Sequence, residues 1–323
     1  MKMKKSISFI FILSVFSCSA PQSDTNSLRL GYNSENSTVV QGVSLLGDTL
    51  TSRIDSTTQN DQIRELQEAE SRYAENPSME NLIWIGRREA YLGRHDLAIR
   101  TFTKAIKEYP DAFEPLRHRG HRFVSVRKFD EAIEDFKKAS KLMEGEEILI
   151  EEDGMPNKLN IPLSNVQFNV WYHLGLAHYL KGEWEKALDA YVECIKVSDN
   201  DDLIVATLDW YYMTLIKMGK KAEALESIAV VTPDMNIIEN EAYHKRILMY
   251  KGELEPGRLL NVNSAEDDQK LQYVTQGYGL GNYYLSQGDT TMAERIFNNV
   301  IETGYWSAFG YIASEMELAK LRE

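Results

Sequence analysis

From about Gln62 onward, apolar residues recur at helical spacing, beginning with Ile63, Leu66 and Ala69 on one face. The stretch Val170–Ser198 carries the pattern in its clearest form. It predicts two amphipathic helices joined by a short turn at Lys181-Gly182-Glu183, with Gly175 in the first helix and Ala187 in the second. Tyr191 follows Ala187 by four positions, and Cys194 comes three later. Small residues at those places let two antiparallel helices approach closely while the aromatic fills the space between them. One such hairpin cannot bury its own apolar face, so it has to stack on others.

The chain supplies the others. Gly86, Gly120, Gly175 and Gly281 are each followed twelve residues later by an alanine: Ala98, Ala132, Ala187 and Ala293. Four residues beyond each alanine stands an aromatic (Phe102, Phe136, Tyr191, Phe297), and three beyond that a compact residue (Ala105, Ala139, Cys194, Val300). A turn glycine follows the first glycine by seven in three units, at Gly93, Gly182 and Gly288. Arg127 takes that place in the fourth. With Pro110 closing the first unit and Trp171 opening the third, this pattern resembles the tetratricopeptide repeat (TPR).

The resemblance implies an all-α fold, a right-handed solenoid of helical hairpins in which the first helix of each pair lines a concave groove. The units fall at Met79–Ala112, Phe113–Glu146 and Phe168–Asp201, then a degenerate one with Gly219, Ala224 and Ile228, ended by Pro233. A fifth starts near Asn236–Tyr250 and is curtailed by Pro256-Gly257. A last clear unit spans Val274–Ser307, and Ala308–Leu321 is expected to close the array with its polar side to water. Residues 62–323 thus form about five or six repeats. The stretches His118-Arg-Gly-His-Arg122, Asn160-Ile-Pro162, Asn240-Glu-Ala-Tyr-His244 and Gly304-Tyr-Trp-Ser-Ala-Phe-Gly310 further resemble an uncharacterised family of exported bacterial TPR lipoproteins.

Periodicity breaks over residues 147–167. Asp153-Gly154, Pro156 and Pro162 mark turns, and Ile148-Leu-Ile150 suggests a short hairpin or extended flap. The segment is acidic, with Glu147, Glu151, Glu152 and Asp153. An insertion in a repeat array usually lies on one face, often the binding one.

The amino terminus has a different character. Lys2, Lys4 and Lys5 precede an apolar run from Ile7 to Phe16, too short to span a membrane and typical of a signal peptide over residues 1–17. Val15-Phe16-Ser17-Cys18 resembles a bacterial lipobox, so Cys18 is expected to carry lipid and place the protein in the cell envelope, on the outer membrane. Residues 18–61, rich in Ser, Thr, Asn and Gln, are expected to form a flexible tether, with Val39–Leu50 docking locally on the first helix. Cys194 has no partner cysteine in the mature chain and falls where a repeat packs a small residue.

A formal charge of −13 over 323 residues argues against nucleic-acid partners, because phosphate would be repelled over most of the surface. Motifs for serine hydrolysis, zinc or phosphate loops are missing from the sequence, and no cofactor, metal or enzymatic role is expected. Gly277-Tyr-Gly279-Leu-Gly281 lies inside a repeat helix without a preceding strand, so its glycines point to close packing rather than to a dinucleotide. Asp199-Asn-Asp-Asp202 lacks the glycine and distal glutamate of a calcium loop and suits a helix cap.

The candidate chemistry is Arg117-His-Arg-Gly-His-Arg122, with Arg87 and Arg88 one repeat earlier. In the TPR register Arg87, Arg117 and His121 face the groove, with Tyr91, Tyr172 and Tyr179 alongside. His118 and His173 complete the candidate ligand-binding set. Clustered guanidinium groups in an acidic protein suit a carboxylate or phosphate. Three uses stay open at this level: an external anionic ligand, docking of the acidic insertion, or plain solvated surface. The leading expectation is a lipid-anchored scaffold gripping a protein or peptide segment, an acidic one by charge. The rivals are capture of a small glycan-like ligand and an enzyme built at the flap around Asp153, Tyr172 and His173.

Overall fold

Each glycine of the repeated pattern stands where a side chain would strike the aromatic sixteen residues on. A Cβ at Gly86, Gly120, Gly175 or Gly281 would lie 2.5, 2.7, 2.5 or 2.3 Å from the rings of Phe102, Phe136, Tyr191 and Phe297. The sequence spacing is therefore the packing of one helix on the next. The computed structural model describes residues 38–54, 59–153, 157–260 and 267–322. The signal peptide, Cys18, the tether up to residue 37, and the flap residues Gly154 and Pro156 lie outside these described residues.

Thirteen α-helices occur among the described residues. The hairpins are α2 (Met79–Tyr91) with α3 (His95–Glu108), α4 (Glu114–Ser125) with α5 (Phe129–Leu142), and α6 (Val166–Leu180) with α7 (Trp184–Lys196). They continue as α8 (Asp201–Lys217) with the short α9 (Lys221–Ser227), and α11 (Asp267–Ser286) with α12 (Thr290–Glu302). Helix α1 (Asn60–Glu75) precedes them, and α10 (Glu241–Tyr250) is followed only by a single 3₁₀ turn at Pro256–Arg258. The fold is an all-α TPR solenoid with one non-helical insertion. Outer helices bury a single face: α7 buries only Ala187, Ala190, Tyr191 and Cys194. The inner helix α6 is covered all round; every residue of it except Trp171 is buried.

The covering over α6 is the chain's own last helix, α13 (Phe309–Arg322). This corrects the expectation of a closing helix with a wet polar side. Nine consecutive residues, Gly310–Leu318, are buried, including Glu315 and Glu317. The helix lies across the inner helices: Phe309 contacts the rings of His121 and His173, Glu317 pairs with Lys217 at 2.7 Å, and Gly310 packs on the Val274 carbonyl. Two carboxylates placed at i and i+2 looked like a solvated face, because their cationic partners stand far away in the sequence.

Glu315 accepts two hydrogen bonds from Arg127, at 3.0 and 2.7 Å. Arg127 holds the left-handed turn position (φ 63°) that glycine occupies in the other hairpins. A non-glycine residue there costs about 1–2 kcal/mol. The buried ion pair to α13 is what arginine gains in exchange.

Residues 38–53 differ from the expected tether. They form an antiparallel hairpin, β1 (Thr38–Val43) and β2 (Thr49–Arg53), with a register shift between Val40 and Gly42. In β2 the exposed Thr49, Thr51 and Arg53 alternate with the more buried Leu50 and Ser52, as a strand requires, a signal hidden by their polar neighbours. The hairpin docks away from α1. Gln41 exchanges two hydrogen bonds with Asp96 at the start of α3 (3.1 and 3.0 Å), Gly42 lies against Val126, and the Leu45 amide donates to Glu315 at 3.3 Å. Trp306 also donates to the Thr51 carbonyl at 3.0 Å.

Deeper in, Arg246 of α10 is fully enclosed and lies 2.7 Å from Asp209 of α8. Gly279 leaves the room for it, since a Cβ there would sit 2.3 Å from the Arg246 Nε. Asn200 caps α8 by accepting from the Leu203 amide, and Asp202 accepts from the amides of Ile238, Glu239 and Asn240 at 2.7–2.9 Å. Cys194 is core; burial pushes its thiol up to about 12.

Candidate functional site

Helix α4 carries Pro115 in its first turn and is kept close to α5 by Gly120, which turns its charged residues to fixed sides. Arg119 faces α5 and forms a two-pronged pair with Asp135 at 2.8 and 2.7 Å, so it is structural. Arg117, His118, His121 and Arg122 instead border a cavity of about 230 Å³ together with Arg87 and Tyr91 of α2. Five of the sequence-derived candidates, Arg87, Tyr91, Arg117, His118 and His121, are thus brought together.

The insertion supplies the opposite wall. It is a minimal hairpin, bridged at Ile150 and Asn165 and secured by Gln167, whose side chain accepts from the Leu149 amide and donates to the Glu147 carbonyl. This positions Glu151 2.9 Å from Arg117 Nη2, while Asn169 donates to both Glu151 and Ser164. Arg87 Nη2 donates to the Glu152 carbonyl at 2.7 Å. Of the three uses left open by the sequence, docking of the flap is the one seen at Arg87 and Arg117.

Docking leaves charge over. Arg117 Nη1 donates to His118 Nδ1 at 3.1 Å, yet its buried Nε has no hydrogen-bond partner. His121 Nδ1 is likewise buried and unpartnered. Half-buried Arg122 has no hydrogen-bond or carboxylate partner among the described residues. Burial, with Arg117 beside it, lowers the Arg122 pKa to about 10, which still leaves it charged at neutral pH. Burial first, then the neighbouring arginines, depresses His118 and His121 well below the ordinary imidazole value, so both rings are neutral. The rim carries Glu152, Asp153 and Glu239. Burial raises the Asp153 carboxyl against the pull of Arg87, and raises that of Glu239 with Asp153 adding to it.

The remaining candidates lie elsewhere, which corrects the expectation of tyrosines alongside the arginines on an open groove. Tyr172 is buried, accepts from Trp210 Nε1 at 2.7 Å and donates to Tyr243. Tyr179 is buried against Tyr278, hydroxyl to hydroxyl at 2.6 Å. His173 is buried behind His121, its ring 4.4 Å away, and its Nδ1–H donates to the Asn169 carbonyl at 2.5 Å. The inner face at α6 is filled by α13, so register positions that line a groove elsewhere become core here. Arg122 ends the candidate stretch but falls outside the groove register and was not placed in the ligand-binding set. Its position one turn after His118, on the same helical face, was the available signal. Among the described residues no group of three or more His, Cys, Asp or Glu could hold a metal ion.

Two tetratricopeptide-repeat family models match the chain, over residues 168–201 and 80–112. Among curated proteins the chain has no match. Solved structures with some similarity include a tetratricopeptide repeat protein from Parabacteroides merdae (13% identity, 82% of this chain and 94% of that one, TM-score 0.46). Others are YrrB, a TPR protein with an unusual peptide-binding site (16%, 73% and 91%, 0.40), and MamA (19%, 68% and 94%, 0.37). The two family matches fall on the α2–α3 and α6–α7 hairpins, whose glycine–aromatic packing recurs in α4–α5 and α11–α12: the chain is a tetratricopeptide-repeat protein.

Proposed function

We propose that the protein is an exported, lipid-anchored scaffold that holds a protein or peptide segment, an acidic group of which enters the cavity between α2, α4 and the flap. A TPR scaffold serves protein–protein interaction, and the acidic surface disfavours nucleic acid. The observation that carries the finer reading is the excess of cation at the cavity floor. Three guanidinium groups converge there, and among the described residues a single carboxylate, that of Glu151, touches any of them. Arg87 is stacked over Trp84 at 4.2 Å beside the cavity, an aromatic–arginine pair of the kind enriched at binding hot spots. Because α13 covers the inner face at α6, the partner segment is short or approaches from the α1–α2 end.

Anchoring is proposed from the basic start, the apolar run and Cys18, which together place the protein on an outer membrane of the bacterial envelope. Affinity capture from detergent-solubilised envelopes tests the scaffold reading. The wild type should retain partners that an Arg87→Ala/Arg122→Gln double variant loses; identical partner sets would refute the cavity's role. For the anchor, Cys18→Ser should move the protein from the membrane to the soluble fraction, and an unchanged distribution would refute lipidation at that residue.

A further inference from the structure

The cavity has two chemically opposite sides, and neither is fully neutralised by the other. On the floor, the buried Nε of Arg117 lacks an acceptor, and the half-buried Arg122 side chain has none among the described residues. On the flap side, the carboxylates of Glu152 and Asp153 have no cationic side chain in contact among the described residues. A simple anion would satisfy the floor but crowd the rim, where Asp153, Glu151 and Glu239 already repel one another. A simple cation would do the reverse. The two sides meet closely: Arg117 and Glu151 are in contact at 2.9 Å, so a cation site and an anion site lie within the span of one small molecule. At about 230 Å³ the space is below the 300–1,000 Å³ typical of pockets for drug-sized ligands.

From these observations we infer that the cavity binds a compact zwitterion of the α-amino-acid type, its carboxylate on Arg122 and Arg117 and its ammonium toward Asp153 and Glu151. This covers a free amino acid or the amino-acid-like end of a larger molecule. The carboxylate would accept from the two guanidinium edges that have no acceptor now, in the charge-assisted geometry that arginine favours. The ammonium would sit between carboxylates whose mutual repulsion it relieves. Neutral His118 and His121 form the side wall without adding charge. The inference rests on the reading of this cavity as an anion site and narrows the class of anion.

Isothermal titration of the purified full-length chain with glycine, L-glutamate, acetate, methylamine and inorganic phosphate separates the cases. Glycine and L-glutamate should bind at least about tenfold more tightly than acetate or phosphate, the equivalent of about 1.4 kcal/mol. Arg122→Gln should abolish binding of every acid. Asp153→Asn, on the flap and away from the core, should weaken the amino acids and leave acetate unchanged. Equal binding of acetate, phosphate and amino acids would overturn the zwitterion inference while leaving the anion site intact. No binding by any probe would overturn both. Should Arg122→Gln fail to fold, the selective effect of Asp153→Asn still decides, because loss of discrimination between glycine and acetate is its expected signature.

Discussion

Arg246, fully buried, and Arg122, half-buried, are two guanidinium groups with opposite surroundings. Arg246 is 0% exposed and faces Asp209 at 2.7 Å; it also donates to the Thr275 carbonyl and lies within 6 Å of the rings of Trp210, Tyr243 and Tyr278. The Asp209 contact is close but not aligned for a hydrogen bond, and both carboxylate oxygens lack one. Burial pushes the Asp209 carboxyl up against the attraction of Arg246. Burial likewise acts to discharge Arg246, and there the carboxylate outweighs it and raises the guanidinium pKa. The two shifts pull in opposite senses. The guanidinium decides between them, since arginine stays charged and a neutral Asp209 would leave it alone in the core. Arg122 has the same charge, borders the cavity and has no carboxylate in contact among the described residues. A buried cation matched inside the chain is architecture; one left unmatched beside a cavity is available to a ligand.

The largest expected effect tests the matched site. Asp209→Ala should cost about 3–5 kcal/mol in urea unfolding, because it strands a buried guanidinium. The double variant Asp209→Leu/Arg246→Met should recover most of that loss. If the single variant were nearly neutral, the pair would not be holding α8 to α10.

Acid comes next. Burial holds His118 and His173 far below the ordinary imidazole value and His95 at about 3. Each of these bases has a depressed folded pKa. The stability it contributes is present above the unfolded value of 6.5 and is lost as pH falls below it. At pH 5.5 each costs about 1.4 kcal/mol, about 4 kcal/mol for the three. A urea midpoint unchanged between pH 7.5 and 5.5 would show the rings to be solvated. Arg127→Gly is expected to cost about 1–4 kcal/mol: losing the pair with Glu315 costs about 3–5, offset by about 1–2 from relief of the left-handed backbone. Arg122→Gln should be the mildest, within about 0.5 kcal/mol of wild type in the same unfolding assay. A large loss there would place Arg122 with Arg246 and dissolve the contrast.

What the sequence made legible follows from physical range. The hairpins were readable because Gly175 and Tyr191 are sixteen residues apart and meet through local helix geometry. Arg87, Arg117 and His121 were placed on one wall by the same register. The rest depended on partners remote in the chain. Glu315 and Glu317 read as solvated because Arg127 and Lys217 are far upstream. Tyr172 and Tyr179 read as groove residues because nothing in their neighbourhood announces the helix that covers α6. Glu151 was visible as part of an acidic insertion, but the identity of its arginine was not.

The contact between the Leu45 amide and Glu315 spans 270 residues of chain. Most solenoids are stitched together by neighbours and lengthen or shorten without penalty to their other units. Here the β1–β2 ribbon and α13 are fastened to each other, so folding must close a loop of 270 residues, and such long-range closure is slow. A growing polypeptide has no carboxylate to set against Arg127 until Glu315 has emerged. We therefore expect maturation to be a late, all-or-none event. Deleting Phe309–Arg322 should loosen the amino-terminal ribbon at the far end of the chain, a change that amide hydrogen exchange would register at Gln41 and Thr51.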